Sequence, residues 1–189
     1  FDEISSTNDY ARSLAHTTDI LEGFVVRARQ QSGGRGQQGS TWESAPHQNL
    51  TLSILLRPTW LAPAAQFGLS LAVALAVRDT VAAAVESAPT PPPVLLKWPN
   101  DLYLGSRKTG GILIENVLSG GSLSASIVGI GLNVNQLAFS PALRNATSLA
   151  LATGQLYDLD ALAERLFEQV ELRYEQLRAG QFDALRDLY

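Results

Sequence analysis

Residues 33–39 read GGRGQQG, and the segment after them narrows the fold more than any other feature of this 189-residue chain. The stretch 34–39 satisfies G-x-G-x-x-G, the spacing of a dinucleotide-binding turn. Such a turn needs a strand before it, a helix opening from it, and an acidic residue about 20 positions later for the ribose. The strand is present as GFVVRARQ (23–30). The helix is not. STWESAPHQN (40–49) carries Pro46 and leads into NLTLSILLR (49–57), a second β-like run, and no acid lies between Glu43 and Asp79. A doubly wound dinucleotide fold is therefore excluded, and residues 31–48 read as one long loop, of the kind that in a compact domain is usually functional.

The remaining pattern alternates less regularly than a βαβ protein. Ser6 or Thr7 can cap a helix over about 8–17, with Tyr10, Ala11 and Leu14 facing inward. A longer Ala-, Leu- and Val-rich helix is expected from about Ala64 to Glu86. Its apolar stretch, Leu69 to Val77, ends at Arg78 and Asp79 and is well short of the ~20 residues of a membrane span, so it reads as a buried helix. VLLKW (94–98) reads as a short buried strand, PND as a turn, LYLGSRK as a hairpin, and GGILIENVL (110–118) and LSASIVGIGLNVN (123–135) as strands joined by SGGS. Leu159, Leu162, Leu166, Val170, Tyr174 and Leu177 then mark one face of an amphipathic helix near 158–178. Hairpin-linked strands with helices before and after them predict an α+β fold with a mixed or antiparallel sheet. PTPPP (89–93) is too short to separate domains, so one domain spanning 1–189 is expected.

Cysteine is absent, which removes disulfides, a thiol nucleophile and thiolate metal sites. The two histidines, His16 and His47, lie far apart and read as helix and loop residues. A net charge of −4 gives no reason to expect nucleic acid or membrane as a partner. The charge is uneven, however. From Gly23 to Ile114 there are eight basic and four acidic residues, whereas from Asp158 onward there are eight acids and four bases. An anionic ligand is thus expected on the middle of the chain.

Within that middle stretch, glycine backbone at 34–39 can approach a ligand closely, and Arg35 can reach a phosphate or carboxylate with two N–H groups. Trp42 can stack on a ring. Only two of the fourteen basic residues are lysine, and both fall in KWPNDLYLGSRKTGG (97–111). A hairpin here would place Lys97 and Lys108 on adjacent strands, converging on one pocket. Lys97, with its stem buried, needs an anionic partner. Asp101 is one candidate and a ligand phosphate another; Asp101 can equally hold Mg2+ beside a triphosphate. Asn100 and Asp101 can also serve simply as turn formers after Pro99.

Five segments, SSTN (5–8), QQSGGRGQQG (30–39) with Trp42, KWPNDLYL (97–104), RKTGGILIE (107–115) and GIGLNVN (129–135), stand together in an order and spacing that resembles the bacterial biotin–protein ligases. The resemblance runs from Ile4 to about Leu149. It implies a fold like the class II aminoacyl-tRNA synthetases, a mixed sheet backed by helices. It implies ATP-dependent ligation of biotin to a lysine of a biotin carboxyl carrier protein, by default that of acetyl-CoA carboxylase, through biotinyl-5'-AMP. It further implies Mg2+ with ATP and a cytoplasmic setting. Relatives include monomers and dimers joined through the sheet edge, so a homodimer is compatible with it.

The resemblance also distributes roles. Ser6, Thr7 and Gln31, with neighbouring Asn8, would serve the biotin ureido ring. Gly34, Arg35, Gly36 and Gln37 lie in the loop over biotin and its adenylate. Lys108 would meet the biotin carboxylate and the α-phosphate. Gly111, Gly129 and Gly131 would let backbone approach the ligand. Lys97, Asn100, Trp42 and Asn133 would serve the nucleotide, with Arg35, Lys97 and Lys108 as the catalytic cations. Gln37 and Ser40 depart from the arginines that many relatives carry. A DNA-binding helix-turn-helix is not expected before Phe1, and an SH3-like domain after Tyr189 is expected to be absent or truncated. Two rival readings remain: a lipoate ligase or octanoyltransferase of the same superfamily, and a non-catalytic module that senses biotin or a nucleotide.

Overall fold

The computed structural model describes residues 1–17 and 19–189. The chain divides into two compact units, Phe1–Ala65 with Gly111–Leu132, and Gln66–Gly110 with Asn133–Tyr189. In both, sheet and helices share the burial, as the α+β expectation requires.

The first unit opens with a two-residue strand, β1 (Glu3–Ile4), and helix α1 (Thr7–Leu14). Ser6 caps α1, its side chain accepting from the Asp9 amide. This satisfies one of the amide groups that a helix start leaves open. After β2 (Phe24–Ala28), the pair β3 (Gln30–Gln31) runs parallel to β1. Strand β4 (Leu50–Leu56) lies between β2 and β8 (Ser122–Leu132), antiparallel to both. Because β4 is central, all seven of its residues are buried, and the alternation read from its sequence does not produce a solvent face. Ala11 and Ala15 pack on Val26, Leu55, Ala125 and Ile127. The inward face of α1 is thus Thr7, Asn8 and Ala11. Tyr10, expected inside, is partly exposed and meets the edge of Phe1, with ring centroids 4.9 Å apart. The turn after α1 is held by charge: the Arg57 guanidinium donates to the carbonyls of Ala15, Thr17 and Ile20 at 3.0–3.3 Å.

The second unit carries β5 (Val94–Lys97), β6 (Asp101–Leu104) and the first residues of β7 (Arg107–Ser119), in the spatial order β7-β6-β5. This changes two expectations. Lys97 and Lys108 are not on adjacent strands, because β6 lies between theirs. Strand β5 is also not buried: it is an edge strand, alternately exposed, and Lys97 is exposed at its end. Helix α2 (Phe67–Val85) is long and apolar enough to cross a membrane by those two measures alone. Most of its residues are buried instead, and it packs on α4 (Leu159–Arg178) and α5 (Phe182–Leu188). Asp158 caps α4 through two backbone amides. The short helices α3 (Leu149–Thr153) and α5 were not foreseen; α3 is bracketed by a Ser148 cap and Gly154 at φ 73°.

Gly68 sets how closely these helices approach. A Cβ there would stand 2.7 Å from Leu177 Cδ1 and 3.1 Å from the Phe182 ring. Gly68→Leu should therefore lower stability by roughly 1–3 kcal/mol. Gly68→Ala should change it less, since the end of Leu177 can yield and alanine recovers about 1 kcal/mol of helix propensity. Urea denaturation midpoints of the two variants would check this.

Candidate active site

In the first unit, four elements bring neutral polar groups together. The Gln31 side-chain carbonyl accepts from the Thr7 amide at 2.8 Å and from the Thr7 hydroxyl at 3.0 Å. Ser53, fully buried on β4, lies 2.8 Å from the Thr7 hydroxyl and 2.6 Å from Asn8 Oδ1. Its single proton serves one of them at a time. The Asn8 amide nitrogen donates to Glu115 Oε2 at 2.9 Å and toward the Leu113 carbonyl. Thr7, Asn8 and Gln31, chosen from sequence, thus form one network, while Ser6 is committed to capping. Ser53 was missed; its one signal was a hydroxyl in the middle of a strand that, Thr51 apart, is otherwise apolar.

The glycine segment is not an open loop. Arg35 and Thr41 form an antiparallel bridge, the Trp42 amide donates to the Gly34 carbonyl at 2.9 Å, and the Gly36 amide donates to the Ser40 carbonyl at 2.7 Å. Between them Gln37–Gly39 makes a tight turn with Gln38 at φ 53°. The glycines are needed because the segment folds on itself. A Cβ at Gly34 would strike the Trp42 carbonyl, and one at Gly36 would lie 2.5 Å from the Ser40 hydroxyl. The Ser40 hydroxyl donates to the Gln37 carbonyl at 2.7 Å.

Gly129 and Gly131, expected to admit a ligand, have nearer occupants. The Asn8 amide fills the space over Gly129, and the Trp42 indole lies over Gly131. Trp42 Nε1 is buried with no hydrogen-bond partner among the described residues. Gly111 is half-buried in β7.

Arg35 reaches carboxylates of its own chain. Its Nη2 lies 2.7 Å from Asp9 Oδ1 and 2.7 Å from Glu115 Oε2. Arg12 adds a second cation to Glu115, 3.2 Å away. Burial works to raise the Glu115 pKa, but the Asn8 and Arg35 hydrogen bonds and the charges of Arg35 and Arg12 outweigh it and hold the carboxyl below its ordinary value. Neither Asp9 nor Glu115 stood out in the sequence as a site residue.

The second unit gathers Lys97, Asp101, Lys108 and Asn133. Asp101 is the Cα partner of Lys97 across the β5–β6 hairpin, and its carboxylate is 2.6 Å from Lys108 Nζ. Of the two lysines, it is Lys108 that takes Asp101. The Lys97 ammonium sits 5.5 Å from the Tyr103 ring centroid, a cation–π distance. Asn100 is half-buried in the intervening turn. The Lys108 backbone is bonded on both sides, its amide to Asn145 O and its carbonyl to Thr147 N, each at 2.8 Å. Asn133 follows closely: its amide donates to the Thr109 carbonyl at 2.7 Å and its Nδ2 to Thr147 O at 3.0 Å. Its Oδ1 is buried and takes no donor among the described residues. Such an acceptor is costly unless a water or a ligand supplies the proton.

Residues 1–133 match the model of the biotin/lipoate A/B protein ligase family. The bifunctional ligase/repressor BirA of Bacillus spizizenii is 33% identical across 100% of this chain and 57% of its own length. The biotin–[acetyl-CoA-carboxylase] ligase of Mycobacterium tuberculosis is 34% identical over 93% of this chain and 63% of its own. This chain therefore spans about three-fifths of such relatives. A solved biotin protein ligase from Aquifex aeolicus, in complex with biotin and ATP, superposes with a TM-score of 0.80 at 29% identity. The match covers 96% of this chain and 72% of that one. The fold is the class II synthetase-like one.

Two outcomes test this geometry. Gly131→Ala would put a methyl 2.7–2.8 Å from Trp42 Cζ2 and Nε1, so the indole must leave, and tryptophan emission should shift to the red. Because the Glu115 pKa is lowered by folding, its contribution to stability is present above the ordinary glutamate pKa. It is lost as pH falls through the depressed value. The stability difference between wild type and Glu115→Gln, measured by denaturation across pH, should be full at neutrality and close in acid.

Proposed function

Since the chain belongs to the biotin/lipoate A/B protein ligase family, we propose that residues 1–189 are a catalytic domain that joins biotin to a carrier-protein lysine at the expense of ATP. The observation that carries this reading is the buried set of Thr7, Asn8 and Ser53 with Gln31. A cyclic urea offers two N–H donors and one carbonyl acceptor, and a site for it needs neutral groups of both kinds. A lipoate or octanoyl chain would call for an apolar slot instead, which disfavours that relative.

In the proposed reaction a biotin carboxylate oxygen attacks the α-phosphorus of ATP and pyrophosphate departs, leaving biotinyl-5'-AMP. The carrier lysine amine, as a free base, then attacks the acyl carbon and AMP leaves. Both first reactants are anions, so fixed cations must offset their repulsion and the charge that develops. Arg35 would serve the carboxylate end, Lys108 the carboxylate and α-phosphate, and Lys97 the remaining phosphates. Lys108 would then exchange Asp101 for the ligand. Asn133 Oδ1 would accept from the exocyclic amine of the base, with Asn100 and Trp42 as further nucleotide contacts, and the Gly34–Gln37 turn and Gly111 would line the ligand.

Magnesium fits here only as the partner of ATP. No group of three or more candidate ligand side chains occurs among the described residues, and Asp101 is taken by Lys108. We therefore assign it no step. The carrier domain of acetyl-CoA carboxylase as partner, a cytoplasmic setting and a homodimer through the sheet edge belong to the same reading. The cation set of Lys97 and Lys108 disfavours a module that only senses biotin or a nucleotide.

The deciding assay is incorporation of labelled biotin into a carrier domain. Lys108→Ala should reduce biotin-dependent pyrophosphate exchange by about 10²–10³, as loss of one preorganised charge does elsewhere. Exchange at the wild-type rate would refute the role given to Lys108, and absence of transfer by wild type would refute the ligase reading.

A further inference from the structure

Arg35 faces two carboxylates that are unequal. Glu115 is 18% exposed at its side chain and also accepts from Asn8 and Arg12. Removing it takes an acceptor from three donors, Asn8, Arg12 and Arg35. Asp9 is 53% exposed at its side chain, sits in the first turn of α1, and has Arg35 as its one ion-pair partner among the described residues. Its place there is already favourable through the helix dipole, with or without Arg35. The charged groups of the cluster, Arg12, Arg35, Asp9 and Glu115, sum to zero. An arriving anion would leave the cluster with an excess negative charge unless one carboxylate withdrew, and the exposed, singly held one withdraws at least cost.

We propose that Asp9 is a displaceable stand-in for the anionic group of the ligand at Arg35, and that Glu115 is the positioning residue that holds the guanidinium while the exchange takes place. The inference rests on the reading of Arg35 as the cation that meets the carboxylate of biotin. It makes the two neighbouring carboxylates act in opposite directions: one competes with the ligand, the other prepares its site. A role in folding alone would give both substitutions the same sign.

The test is titration calorimetry of wild type, Asp9→Asn and Glu115→Gln with biotin and with biotinamide, which lacks the charge. Asp9→Asn should bind biotin about two- to fivefold more tightly, the scale of an exposed ion pair, and bind biotinamide as wild type does. Glu115→Gln should bind biotin more weakly, with Glu115→Asp restoring part of the loss. Should Glu115→Gln fail to fold, the Asp9→Asn arm decides alone. Asp9→Asn binding biotin no more tightly than wild type, or tightening both ligands alike, overturns the inference and leaves the ligase reading standing. Wild type that binds neither ligand overturns both.

Discussion

The Glu115 carboxylate is the point on which the first unit's polar chemistry turns. It accepts from Asn8 of α1, from Arg12 one turn later, and from Arg35 of the glycine segment. Pieces of chain far apart in sequence are thereby fixed to one strand. A half-buried carboxylate is stable only while such donors surround it. The donors in turn have fixed positions because the acceptor is on a strand and not on a loop. Asn8 passes the constraint on: with its nitrogen held by Glu115, its oxygen faces Ser53, and Ser53 faces Thr7. Gly129 belongs to this arrangement because any side chain there would occupy the space of the Asn8 amide.

In the second unit Asp101 plays a comparable part with one strand on either side. It pairs in register with Lys97 and in charge with Lys108. The Lys108 ammonium therefore starts from a defined place, set by its own carboxylate and by backbone bonds to Asn145 and Thr147. The stretch 145–149 also brackets Asn133, whose side-chain oxygen, without a donor among the described residues, is held by hydrogen bonds made elsewhere on the same residue. A polar group held rigid and left without a partner is poised for a ligand.

Much of this could be read from the sequence, for reasons that differ residue by residue. The strands around Leu52 and Ile127 and the helix carrying Leu166 announced themselves by apolar period. The glycine segment announced itself by composition, and Lys97 and Lys108 by rarity. The resemblance across five segments placed the fold. Burial of β5 was misread because a short apolar run such as VLL (94–96) looks the same at an edge as at the centre of a sheet. The face of α1 was misjudged because Asn8, a polar residue, turns inward to meet Ser53, while Tyr10 turns outward to Phe1. Glu115 and Asp9 carried no local signal at all. Their importance comes from Arg35, which is distant from both along the chain, and only the folded chain reveals a partner of that kind.

Strand β5 has a consequence of its own. It ends the strand order of its sheet, with Leu95 and Trp98 exposed on either side of Lys97. An uncapped row of backbone amides and carbonyls flanked by such side chains can recruit a strand from another molecule, and a long cation in that row discourages it. Lys97 therefore works against unspecific strand recruitment at this edge whatever else it does. Neutralising it would make the protein more prone to aggregate, a colloidal effect separate from any change in its chemistry.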